Sequence, residues 1–150
     1  MTIRKAKLQE AEILTNLALV SKAHWGYTLE QLAEWKEELT LSKHYIIDNK
    51  VLVLEKNHLI LGFYAYIRKT PKTVDLDFLF VDPQHIRKGF GKLLITHFIE
   101  EMKRQNFEVV TVDSDPNAEK FYRHFGFETI SKKPSSIKDR FLPVMKMKVV

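Results

Sequence analysis

The chain's 150 residues suffice for one domain, 1–150, that buries about two thirds of its unfolded surface; 45% hydrophobic and 29% charged residues are ordinary for a soluble globular protein. The absence of cysteine excludes disulfides, a thiol nucleophile and cysteine metal sites, leaves no expected metal, and fits a cytoplasmic, reducing location. The formal charge of +5 comes from bases spread along the chain rather than from a stripe or tail, so no nucleic-acid partner is expected, and no apolar run reaches the roughly 18 residues that cross a bilayer.

In chain order, "MTIRKA" suits a short strand, and its bases have no apolar stretch behind them, against a secretory signal. Ile13, Leu14, Leu17, Ala18 and Val20 recur at mostly helical spacing between Glu10 and Ala23. "HWGY" interrupts that helix, and Thr28 can cap a second one through Leu29, Leu32, Trp35 and Leu39, with Trp35 in the core. Three strand-like runs follow, "KVLVLEK", "LILGFYAYIRKT" and "TVDLDFLFV", separated by Asn57-His58 and Pro71-Lys72 as in an antiparallel meander. After Gly91, Leu94, Phe98 and Met102 lie four apart, flanked by Leu93, Ile95 and Ile99, on an amphipathic helix. "FEVVTVD" is a strand buried on both faces. "DPNAEKFYRHFGF" is a short helix with Asp115 as N-cap, Pro116 at its first position and Gly126 as its left-handed stop. Strands around Phe127–Ile130 and Phe141–Val149 end a mixed α+β chain with four helices.

Between the meander and the long helix lies "VDPQHIRKGFGKLL", where a strand end, two glycines and a helix start aim free N–H groups and the positive end of a helix dipole at one spot. Arg87, Lys88 and Lys92 add positive charge. The segment lacks the spacing of a Walker loop and the third glycine of a dinucleotide fingerprint. Alone, it is an anion site or a plain strand-to-helix turn.

The combination says more. "DLDFLFVDP", "HIRKGFGKLL", an amphipathic helix, a buried strand and "SDPNAEKFYRHFGF" together resemble the GNAT superfamily of acetyl-CoA-dependent N-acetyltransferases, along essentially the whole chain. "SKAHWGY" and "DRFLP" resemble a bacterial branch of small members of unassigned substrate. The resemblance implies a central, mostly antiparallel sheet of about seven strands, splayed between the fourth and fifth. Two positions depart from the family pattern. Ile86 stands where Gln or Arg opens the signature, and Asp115 stands where Asn is frequent.

By that resemblance, amides of Arg87, Lys88, Gly89, Phe90, Gly91 and Lys92 cradle the CoA pyrophosphate. Leu79, Phe80 and Val81 face the pantetheine arm and acetyl group, and Asp115 and Asn117 lie beside the cofactor. An amine attacks the thioester directly in a ternary complex, after losing a proton at a pKa of about 10.4. Asp75 and Asp77, two apart on a strand and roughly 7 Å from each other, are candidates for the base. They equally suit the polar face of a half-exposed strand. Tyr122 matches the family tyrosine that protonates the leaving thiolate and also borders the cofactor. His24, Trp25 and Tyr27 fall on the acceptor side, and Arg140 suits an acceptor carboxylate or a loop cap.

Acetyl-CoA is thus the expected cosubstrate, the acceptor is a small-molecule amine or a protein amino group, and family members often dimerise. A non-catalytic acyl-CoA-binding or regulatory module of the same fold is the alternative. Retention of Asp75, Asp77 and Tyr122 argues against it.

Overall fold

The computed structural model describes residues 1–149. Its strands are β1 (Thr2–Lys5), β2 (Lys50–Lys56), β3 (Leu59–Arg68), β4 (Thr73–Val81), β5 (Val109–Asp113), β6 (Glu128–Pro134) and β7 (Phe141–Lys148). Its helices are α1 (Ala11–Ala23), α2 (Leu29–Trp35), α3 (Lys43–Asp48), α4 (Phe90–Arg104) and α5 (Glu119–His124). The strands hydrogen-bond in the order β1-β2-β3-β4-β5-β7-β6. β1–β2, β2–β3, β5–β7 and β6–β7 are antiparallel, whereas β4 and β5 are parallel. The parallel register joins Thr73–Asp75 to Val109–Thr111, and β4 runs on beyond it to Val81. A parallel pair needs a crossover connection, which α4 provides. This is the mixed, open seven-stranded sheet expected from the sequence.

The residues divide into two compact units, Met1–Tyr66 with Phe78–Thr96, and Ile67–Asp77 with the chain from His97 onward. In the first unit Leu14 and Ala18 of α1, Val53 of β2, Phe63 of β3 and Leu94 of α4 are wholly buried. Phe78 meets Phe63 at 5.9 Å and Tyr45 at 5.5 Å between ring centroids. In the second unit Val74, Phe98, Met102, Val110 and Met145 are wholly buried, and Tyr122 and Phe127 pack edge to face at 5.4 Å.

The sequence reading gives four helices where the described residues form five. The extra one is α3, six residues that Ser42 caps by accepting from the Tyr45 N–H at 3.0 Å. Six residues are too few to show a helical period. Of the residues whose spacing marks α1, Ile13 and Val20 are more than half exposed, and Ser21 is buried. The helix expected after Asp115 divides into a 3-10 turn, Pro116–Ala118, and α5, with Asp115 capping the turn as expected. β6 extends to Pro134, past the expected Ile130.

Candidate acetyl-transfer site

In the first unit the end of β4 is held against β3 by backbone contact. An ideal Cβ built on Gly62 would lie 2.7 Å from the Phe80 carbonyl oxygen and 3.3 Å from Val81 Cα, so only glycine lets the two strands approach this closely. The Asp82 N–H donates to Leu61 O at 2.8 Å. No peptide bond among the described residues is cis, so N–H and C=O of one peptide point in opposite directions. The Phe80 carbonyl and the Asp82 N–H both face β3. The N–H and C=O of Val81 therefore both face the opposite edge, as in a strand residue awaiting a neighbour, and the Leu79 pair shares that direction through the two-residue period.

Beyond β4, Asp82 caps a 3-10 turn, Pro83–His85, by accepting from the Gln84 N–H at 2.9 Å. The chain then turns sharply, with φ of +67° at Arg87 and +80° at Gly89. A positive φ is cheap for glycine and strained for arginine. A Cβ at Gly89 would meet nothing within 4 Å, so its backbone faces open space. Phe90 is buried and its ring lies 6.2 Å from that of His85, which anchors the loop. The Leu93 N–H bonds Gly89 O at 3.0 Å. The amides of Phe90, Gly91 and Lys92 precede that bond, in the first turn of the 15-residue helix α4, where an α-helix leaves its N–H groups without intrahelical acceptors. Ile86, Arg87, Lys88 and Lys92 are exposed around them.

In the second unit Asp75 is half-buried and Asp77 exposed, on the face of β4 opposite the buried Val74 and Leu76. Thr111 of β5 donates its hydroxyl to Asp75 at 2.9 Å. Burial pushes the Asp75 carboxyl above the usual aspartate range, the Thr111 bond opposes this, and the charges of Asp113 and Asp77 add to it. Asp113 pairs with Lys133. Thr111 and Asp113 escape sequence reasoning because both belong to another strand.

Tyr122 is 6% exposed, and burial first, then the Asp115 charge, raises its phenol pKa well above the ordinary value, keeping it protonated. Asp115 accepts from Asn117 N and Nδ2, each at 2.9 Å, and from Arg140 at 2.9 Å. Arg140 and Asp115 are side chains only 14% and 10% exposed, so this guanidinium holds the turn before α5. His24 and Trp25 are exposed, Gly26 takes φ +87°, and Tyr27 packs on the core residue Trp35 at 4.8 Å. Among the described residues no group of three or more His, Asp or Glu side chains is placed to hold a metal ion. No helix among them is long and apolar enough to cross a membrane.

The acetyltransferase (GNAT) domain family matches residues 18–150. The chain belongs to the GNAT acetyltransferase family. It is 26% identical over 116 residues to YafP of Escherichia coli (strain K12), an uncharacterised N-acetyltransferase, covering 77% of this chain and 71% of that protein. It is 22% identical over 106 residues to the uncharacterised N-acetyltransferase ycf52 of Gracilaria tenuistipitata var. liui, a match that spans 71% of this chain and 57% of the ycf52 protein's length. In fold it is similar to the PaiA N-acetyltransferase of Thermoplasma acidophilum, solved with coenzyme A, at a TM-score of 0.78 and 21% identity over 98% of each chain. Of the two departures from the GNAT pattern, Ile86 lies extended and 38% exposed on the loop, and Asp115 performs the capping of which Asn is also capable.

Proposed function

We propose that this chain is an N-acetyltransferase that moves an acetyl group from acetyl-CoA to a primary amine by direct attack in a ternary complex. The observation that carries the reading is the loop Arg87–Lys92, with its two left-handed residues, the open backbone at Gly89 and the first-turn amides of a long helix. Coenzyme A bound to the PaiA relative gives the anion its chemical class. When bound, acetyl-CoA supplies an acetyl thioester, an acyl group activated toward amines.

The residues then have separable tasks. The loop amides bind pyrophosphate, with Arg87, Lys88 and Lys92 adding charge. Val81 pairs with the pantetheine arm, and the Val81 or Leu79 N–H polarises the acetyl oxygen. Asp75, with its raised pKa, takes a proton from the incoming ammonium, directly or through water, and Asp77 tunes it by repulsion. The C–N bond forms as the C–S bond breaks, Tyr122 gives its proton to the departing sulfur, and the second proton lost by the acylated nitrogen restores the Tyr122 hydroxyl through solvent. His24, Trp25 and Tyr27 border the acceptor.

Acetylation of an amine panel with release of free CoA as the readout tests the proposal. Turnover of at least one amine supports it. Saturable acetyl-CoA binding with no acceptor consumed favours the non-catalytic acyl-CoA-binding module instead.

A further inference from the structure

Ser21 is among the few buried polar side chains, only 7% exposed near the end of α1, and it donates its hydroxyl to the carbonyl of Val81 at 2.6 Å. That carbonyl is one of the two groups that the end of β4 turns away from β3. The same peptide is held from the other side by the Asp82 N–H bond to Leu61 O at 2.8 Å. The final peptide of the strand is thus fixed at both its oxygen and its hydrogen. A carbonyl has two lone pairs, so the Ser21 bond leaves one acceptor position on Val81 unused. His24, Trp25 and Tyr27 follow within six residues of Ser21, so the same bond registers that segment on the strand end.

We infer that Ser21 is a positioning residue for acetyl-CoA, holding the Val81–Asp82 peptide at the angle at which the second lone pair of the Val81 carbonyl meets an N–H of the pantetheine arm. The inference rests on the acetyltransferase reading of this site. Ser21 touches no reacting atom and acts only through Val81. An exposed serine at this point of an amphipathic helix would have no such effect. Here the loss of the hydroxyl leaves a half-buried carbonyl without its donor and a peptide free to rock.

Two measurements on the full chain test it. Amide hydrogen exchange without any ligand, comparing wild type with Ser21→Ala, reads the restraint itself. Exchange at Asp82 accelerates several-fold while Val53 and Val110 stay unchanged; equal exchange at Asp82 overturns the inference. Calorimetric titration with acetyl-CoA then reads the consequence. Ser21→Ala weakens binding about three- to tenfold, the worth of one net hydrogen bond, and leaves kcat at saturation within about twofold. Ser21→Cys, near in size and a weak donor, falls between, and carries the comparison if Ser21→Ala does not fold. Unchanged or tighter binding in the variants overturns the inference, the tighter result because Ser21 then competes with the arm. A wild-type chain that binds no acetyl-CoA overturns the acetyltransferase reading itself, while the exchange arm still reports whether Ser21 restrains the peptide.

Discussion

Tyr122 and Asp75 have opposite proposed demands on a proton, and the same force, burial, acts on both. For Tyr122 it secures the protonated phenol at every working pH. Tyr122→Phe keeps the ring contact with Phe127 and removes only the hydroxyl. It is expected to lower kcat about 10- to 100-fold with the calorimetric acetyl-CoA Kd within twofold. For Asp75 burial stabilises the neutral acid. A carboxyl whose folded pKa is raised contributes stability below its ordinary value of about 3.9 and loses it as pH rises through the folded pKa. Ionised Asp75 therefore costs stability at neutral pH. Asp75→Asn is expected to match or exceed the wild-type melting temperature at pH 8 while losing at least about tenfold in kcat. The acid limb of the wild-type pH–rate profile lies above the ordinary aspartate range, and it disappears in the variant. Alternation along the strand was enough to put Asp75 and Asp77 on one face. Their unequal burial was not legible, because Thr111 and Asp113 come from the paired strand.

At the scale of elements, glycine does two different jobs. Gly89 meets open space but sits at φ +80°. Gly89→Ala costs about 1 kcal/mol of stability from backbone strain, yet its methyl projects where the pyrophosphate is proposed to lie. The expected signature is a tenfold or greater loss of acetyl-CoA affinity beside a small melting shift, measured by titration and thermal denaturation. Gly62 is the reverse, because its missing Cβ is what lets β3 and β4 touch. Gly62→Ala is expected to destabilise by about 1–3 kcal/mol, seen as a drop in melting temperature of several degrees. The glycine loop stood out in the sequence because its pattern is local. Gly62 reads as one apolar position among many, and its meaning comes from a strand about 20 residues further on.

For the molecule as a whole, ligand linkage and acid stability give two checks. Acetyl-CoA at 100 times its Kd is expected to stabilise the chain by about 2.7 kcal/mol, and no melting shift at millimolar acetyl-CoA would sink the proposed function. Arg4 donates to Glu10 at 3.0 and 2.8 Å and to Glu55 at 2.7 Å, tying β1, β2 and the turn before α1 together. The Arg4 hydrogen bonds hold the Glu10 carboxyl below its usual range, against the opposing effect of burial. A depressed pKa contributes stability above the ordinary glutamate value of about 4.3, and that stability is lost as pH falls through the folded pKa. Glu10→Gln is expected to lower the melting temperature at pH 7 and to bring it closer to wild type below about pH 4.

Local chemistry was enough to determine most of the elements, the glycine loop and the order of strands and helices, because caps, turns and hydrophobic periods are written within a few residues of each other. Family resemblance added the expected ligand class and the proposed roles of Tyr122 and the loop amides. What only the tertiary structure decided is what depends on distant partners. Ser21 reaches Val81, Thr111 reaches Asp75, Arg140 reaches Asp115, and Gly62 admits the end of β4. Each is a hydrogen bond or a contact between residues at least 18 positions apart, a separation over which periodicity and propensity carry no information.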